Sequence, residues 1–235
     1  MIDTKLILKE LENITWSKSR YTIFDDWLDL MLYAFQGDDE NYLRIINAYD
    51  NRGRIGERAS DHFANALGAL MSLMQEANKE ILGYIYMEWN ISNKHSGQFF
   101  TPFSVAKMMA MLTGETGGLI NDPACGSGIM LIAKATILTN EEIDKSLFVG
   151  QDLDLTCIKM TALNMMFFNL NGYAIHCDTL RNEYYAAYQT TRSYLGGSIR
   201  KLTEEELEII KPKLDKIVKK ENKPNLKQIG LFEEL

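Results

Sequence analysis

The run Leu119-Ile120-Asn121-Asp122-Pro123-Ala124-Cys125-Gly126-Ser127-Gly128-Ile129 decides how this chain folds. A short β-like segment ends in a carboxylate, a glycine-bearing turn follows, and apolar residues from Ile129 to Leu138 return at helical spacing. Downstream, Leu147-Phe148-Val149-Gly150-Gln151-Asp152 reads as a second strand, followed by a helix through Ile158, Ala162, Leu163 and Met166. Tyr173-Ala174-Ile175-His176-Cys177-Asp178 reads as a third strand. Strands alternating with helices predict an α/β fold with a parallel sheet and right-handed crossovers. Ligands of such sheets sit at the carboxyl ends of the strands, and here all three strands end in an aspartate: Asp122, Asp152 and Asp178. Each alone could cap the helix after it, whereas three in register point to one shared polar ligand. Gly126 and Gly128 let the backbone approach a ligand where a Cβ would clash, and the helix beyond them offers unpaired N–H groups. The turn is not a phosphate loop, since no Gly-Lys-Ser/Thr follows, and Leu131 breaks the GxGxxG dinucleotide pattern.

Upstream, from Leu6 to about Asn90, the pattern is helical. Trp27, Leu28, Leu30, Met31 and Ala34 recur on one helix face, as do Phe63, Ala66, Leu67, Leu70, Met71 and Met74. Helix starts are expected at Asp38-Asp39-Glu40 and at Ser60-Asp61. A further helix carries Ile81, Leu82, Ile85, Tyr86 and Trp89, and Asn90–Gly97 is a polar connection. Beyond Arg181 no further strand is convincing. Thr203 followed by Glu204, Glu205 and Glu206 opens a helix expected to stop or bend at Pro212, and Lys213–Lys227 is a solvated, lysine-rich stretch. The chain thus divides into a helical N-terminal region (1–94), an α/β core (95–200) and a helical, tethered tail (201–235).

Composition sets the outer bounds. Among 235 residues, 25 Lys and Arg face 32 Asp and Glu, a net charge of −7, and 46% of residues are hydrophobic. Such a chain can bury a core, and it does not hold nucleic acid by phosphate neutralisation alone; a local patch or a partner would be needed. Cys125, Cys157 and Cys177 form no CxxC pair, so neither a disulfide framework nor a cysteine zinc site is expected. His62, His95 and His176 lack ligand spacing, and no metal is expected. Cys125 has no evident base and is not expected to act as a nucleophile. The methionines at 108, 109, 111, 160, 165 and 166 are expected to fill the core. No secretory leader is apparent at Met1–Lys5, and no run approaches the ~18 apolar residues of a membrane span; a cytoplasmic protein is expected.

Gln98-Phe99-Phe100-Thr101-Pro102, placed before Asp122-Pro123-Ala124-Cys125-Gly126-Ser127-Gly128, resembles the adenine-N6 DNA methyltransferases. The likeness is in particular to modification subunits of type I restriction systems and their short phage or plasmid relatives, and it covers roughly residues 80 to 180. The resemblance implies a truncated Rossmann-like, S-adenosylmethionine-dependent methyltransferase core under a helical N-terminal cap, with DNA as substrate and a partner subunit. It assigns Thr101 to the cofactor's carboxylate; the competing role for Thr101 is N-cap of a helix over Ser104–Leu112. It assigns Asp122 to the methionine ammonium through a charge-assisted hydrogen bond. Ala124, Gly126 and Gly128 become the loop under the sulfonium. Asp152, with Asp154 as rival, accepts the ribose hydroxyls; Asp178 accepts from the adenine amino group, with Leu180 beside the ring.

The chain also departs from that family. There, an Asn/Asp/Ser-Pro-Pro-aromatic turn holds the target adenine's amino group and stacks on the flipped base. The four prolines here, Pro102, Pro123, Pro212 and Pro224, are never adjacent. The aromatic segment Glu183–Tyr188 does not supply that turn. The catalytic residues are therefore unassigned, and three alternatives stay open: a cofactor-binding remnant, a site completed by another chain or the DNA, or an unrecognised turn such as Tyr194-Leu195-Gly196-Gly197. Gln228-Ile229-Gly230-Leu231-Phe232 is similar to the pentapeptide that docks bacterial proteins on the sliding clamp; alternatively, its apolar residues fold back on the chain. A non-catalytic, cofactor-binding, DNA-associated protein is the competing function.

Overall fold

Five helices form the N-terminal part of the computed structural model, which describes residues 3–15, 18–89, 91, 99–113 and 117–221. They are α1 (Lys5–Glu12), α2 (Arg20–Gln36), α3 (Asp39–Ile46), α4 (Ala59–Ala77) and α5 (Leu82–Glu88). Local chemistry sets their starts: Ser19 accepts from Thr22 N and Asp38 from Asn41 N, each satisfying an otherwise orphaned amide. The helix expected at Ser60-Asp61 begins at Ala59, with the Asp61 carboxylate accepting from Arg58 N. A sixth helix, α6 (Phe103–Leu112), leads into β1 (Leu119–Asp122). Then follow α7 (Ile129–Ala135), α8 (Asn140–Asp144), β2 (Leu147–Asp152), α9 (Leu155–Phe167) and β3 (Gly172–Asp178).

After Asp178 the structure corrects the expectation of no further strand. β4 (Glu183–Thr191) and β5 (Ser198–Lys201) extend the sheet, and α10 (Glu204–Glu221) follows. The sheet order is β1-β2-β3-β4-β5; β1, β2 and β3 are parallel, and β4 and β5 run antiparallel to their neighbours. Tyr- and Thr-rich composition favours the strand state at β4, which folds back on β3 as an antiparallel hairpin, with Glu183 opposite Asp178. A second correction concerns Pro212, which lies inside α10 without ending it. The helix start expected at Thr203 is a capping box, with Thr203 N donating to Glu206 Oε2 and Glu206 N to Thr203 Oγ1.

Strand residues alternate between two apolar layers, as a pleated strand requires. Phe148, Ala174, Tyr188 and Ile199 join α9 and the N-terminal helices in the main core. Val149, Ile175 and Ala187 face the other way, against Leu202, Leu207 and Leu214. α9, buried on nearly every side, is the hub of the first layer. Among the methionines, Met160, Met165 and Met166 are buried in it as expected. Met108, Met109 and Met111 are not core filler: they stand exposed on α6, which buries only Ala106 and Ala110.

Lys159 ties α9 to α2. Its ammonium lies 3.0 Å from both Asp25 oxygens and 2.8 Å from Asp29 Oδ1, with its side chain 6% exposed. Asp25 also accepts from Thr156 Oγ1. Burial pushes the Asp29 carboxyl up, and Lys159 opposes that rise.

Candidate functional site

The carboxyl ends of β1, β2 and β3 carry the three aspartates, but not in register as expected. Asp122 pairs with Gly150 and Asp152 with His176, so each acid stands two residues further along than the one before. A two-residue step keeps all three on one face of the sheet. With about 6.6 Å along each strand and about 4.8 Å between strands, successive acids are separated by roughly 8 Å. The acids therefore form a diagonal row suited to an elongated ligand, not to a small ion.

Each acid braces a turn. Asp122 Oδ1 accepts from Ala124 N. Asp152 Oδ2 accepts from Gly126 N at 2.9 Å and Oδ1 from Asp154 N at 2.9 Å, so the end of β2 holds the turn that follows β1. Asp178 Oδ1 accepts from Leu180 N and Arg181 N, with Arg181 Nε 3.6 Å from its other oxygen. Asp154 does different work: its Oδ1 accepts from Thr156 N and Cys157 N as the N-cap of α9. Burial raises the Asp122 carboxyl above its ordinary range, the Ala124 N–H opposes this, and the neighbouring Asp152 charge adds to the rise. A cation between the two would relieve that strain.

Thr101, Asp122 and Ala124 line one cavity of about 690 Å³, together with Met109, Asn121 and Lys134. Thr101 does not cap α6; Pro102 takes that position. Gly126, Gly128, Asp152, Asp178 and Leu180 lie outside this cavity's walls, the last three around the ends of β2 and β3. Leu180 is 97% exposed. Gly126 (φ +55°) and Gly128 (φ +83°) hold left-handed backbone. A Cβ on Gly126 would lie 2.9 Å from the Phe100 ring, and one on Gly128 3.1 Å from Thr161 Oγ1. The glycines are thus required by protein packed against the turn, and Phe100 joins the two halves of the Gln98–Gly128 pattern; Gln98 itself is outside the described residues.

Cys125 is buried, and burial pushes its thiol up, away from the thiolate that a nucleophile needs. The Tyr194–Gly197 segment connects β4 to β5. Because β4 runs antiparallel to β3, with Glu183 opposite Asp178 and Thr190 opposite Gly172, that segment lies at the end of the sheet away from the acids. It cannot serve as the catalytic turn of this site. Gln228–Phe232 is outside the described residues. Among the described residues no helix is long and apolar enough to cross a membrane.

Three site-forming residues were not anticipated from sequence. Thr161 Oγ1 donates to Gly126 O at 2.9 Å, Asn164 Nδ2 to Ser127 O at 2.8 Å, and Asn164 Nδ2 also to Glu80 Oε1 at 2.9 Å. For Thr161 and Asn164 the available signal was polar residues set within the apolar run Leu155–Phe167: a helix buried all round must find partners for them.

The N-6 DNA Methylase family model matches residues 77–194, half of the chain. The chain belongs to the N-6 DNA methylase family. It is 32% identical over 101 residues to the methylase subunit of the type I restriction enzyme MjaIX of Methanocaldococcus jannaschii, covering 40% of this chain and 18% of that protein. It is 33% identical over 95 residues to the HindI methylase subunit of Haemophilus influenzae (37% and 21% covered). It is 30% identical over 95 residues to the MpnII methylase subunit of Mycoplasma pneumoniae (38% and 18% covered). The match thus spans only about a fifth of the length of these relatives. No solved structure matches.

The division of labour between the two neighbouring acids has a direct check. Asp154→Ala is expected to cost about 1 kcal/mol of stability, as lost N-caps do, and to leave nucleoside binding unchanged. If Asp152 holds the ribose, as the resemblance implies, Asp152→Ala is expected to weaken binding of S-adenosylhomocysteine. Thermal melts and titrations of both variants would show it; a reversed pattern would make Asp154 the ligand.

Proposed function

We propose that this chain binds S-adenosylmethionine and is an adenine-N6 DNA methyltransferase homologue whose reaction needs groups supplied by a second polypeptide. The observation that carries the reading is the stepped row of Asp122, Asp152 and Asp178 on one sheet face, beginning at the cavity shared by Thr101, Asp122 and Ala124. S-adenosylmethionine has the matching order of groups, an amino acid, a sulfonium, a ribose and an adenine, and when bound it supplies an electrophilic methyl.

The donor set fits those groups in sequence. Thr101 would hold the carboxylate and Asp122 the ammonium. Asp122 is a partly buried acid beside a second acid, so a cationic partner lowers its energy and a phosphorylated ligand would be repelled. The Ala124–Gly128 turn would carry the centre of the molecule. The two oxygens of Asp152 suit a diol, and Asp178, next to exposed Leu180, would take the adenine. The relatives are named as methylase subunits of restriction enzymes, which supports DNA as the substrate and a multi-subunit setting.

A second reading, cofactor binding without catalysis, is favoured by one observation. The aromatic–glycine loop Tyr194–Gly197, offered above in place of the Pro-Pro turn, lies at the far end of the sheet. Tritiated-methyl incorporation into adenine-containing DNA separates the two. The first reading expects no label with the chain alone and label on adding the cognate lysate. Saturable cofactor binding with no label in either condition supports the second.

A further inference from the structure

Glu80, which precedes the Ile81 N-cap of α5, is 3% exposed and takes no part in holding the cofactor groups assigned above. Its Oε1 accepts from Gly83 N at 2.6 Å and from Asn164 Nδ2 at 2.9 Å. The Asn164 amide has two hydrogens, and the other is given to Ser127 O. Thr161, three residues earlier and so on the same face of α9, donates to Gly126 O. Two consecutive carbonyls of the turn are thus held from behind by one helix. Peptide planarity then points the N–H that follows the Gly126 carbonyl, that of Ser127, in the opposite direction.

The orientation of Asn164 has one visible cause. Its Oδ1 is buried and meets no hydrogen-bond donor among the described residues. Reversing the amide would set that oxygen against both Ser127 O and Glu80 Oε1. Glu80 supplies the acceptor that makes the observed orientation the favourable one, and α5 is brought close enough because residue 83 is glycine: a Cβ there would collide with the Ser127 side chain.

We infer that Glu80 is a positioning residue, which acts through Asn164 to fix the carbonyl side of the Gly126–Gly128 turn and so aims the Ser127 N–H at the bound nucleoside, the Gly126 and Gly128 amides being held by Asp152 and the Cys125 carbonyl. The function of this clamp rests on the cofactor reading, while its geometry does not. The N-terminal helices are thereby coupled to the site by one hydrogen-bonded chain from α5 through α9 to the turn.

Hydrogen exchange of the peptide spanning Cys125–Met130, followed in the intact protein, tests the clamp without any ligand. Glu80→Met is expected to speed exchange there by about tenfold, the equivalent of one hydrogen bond, with α9 flanks little changed. Glu80→Gln, which keeps an acceptor oxygen, is expected to restore wild-type protection. Asn164→Leu should reproduce the effect, also standing in if Glu80→Met does not fold, and adding Glu80→Met to it should bring no further change. Titration of the same variants with S-adenosylhomocysteine is expected to show about tenfold weaker binding for Glu80→Met, with recovery in Glu80→Gln. Exchange that ignores Glu80, or rises equally throughout α5 and α9, overturns the positioning role. If exchange follows Glu80 but the wild type binds no S-adenosylhomocysteine, the cofactor reading falls and the clamp stands.

Discussion

Lys159→Ala is expected to lower stability by about 3 kcal/mol at neutral pH, the lower end for a buried ion pair broken on one side. The size follows from what is left behind. Asp25 and Asp29, which both bond the ammonium, remain as neighbouring carboxylates on α2, with Asp29 largely buried. Without the lysine the Asp29 carboxyl rises further, so the variant's deficit should be larger at pH 7.5 than at pH 4.5, where protonation removes the repulsion. Adding Asp25→Asn and Asp29→Asn should recover most of the loss. Urea unfolding at the two pH values checks both statements. A deficit independent of pH would mean that lost packing of the lysine stem, and not charge, sets the cost.

Glu80→Gln is expected to stabilise the protein in alkaline conditions. Burial holds the Glu80 carboxyl at about 7, against an ordinary 4.5, despite the bonds from Gly83 N and Asn164. Between those values the folded chain holds a proton that the unfolded chain has released. Stability therefore falls as pH rises through this window, and the contribution present below 4.5 is lost above 7. The interval corresponds to about 3 kcal/mol. Glutamine carries no charge to bury. The variant should melt with the wild type at pH 4.5 and about 6–10 °C above it at pH 8. Coincident melting curves at pH 8 would show that the carboxylate is solvated in solution. The same substitution preserves the acceptor facing Asn164, so stability and turn protection should separate: the first improves while the second stays unchanged.

These two buried groups mark the boundary of what the sequence discloses. The strand, glycine turn and helix at Leu119–Ala135 were legible because the period changes from two to about 3.6 across a glycine-bearing turn, and β2, α9 and β3 repeat the pattern. β4 was not. Its neighbours Ala187 and Tyr188 are both buried, one on each face between two helical layers, so the segment lacks the polar alternation of a half-exposed strand. Register was equally hidden: that Asp122 meets Gly150, and not Asp152, is fixed by packing between strands. The site's outer acids could be named because each closes a strand. Its supports, Thr161, Asn164 and Glu80, are separated by up to 84 residues and meet only once α5 and α9 pack together. A buried polar side chain announces that it has a partner, not which one.

Calorimetric titration with S-adenosylhomocysteine, wild type beside Asp122→Ala, bears most directly on whether the row of acids is a nucleoside site. Saturable one-to-one binding is expected for the wild type, weakened more than tenfold in the variant through loss of a charged hydrogen bond of about 1.5–3 kcal/mol. Equal affinities, or no binding by the folded wild-type chain, would contradict it.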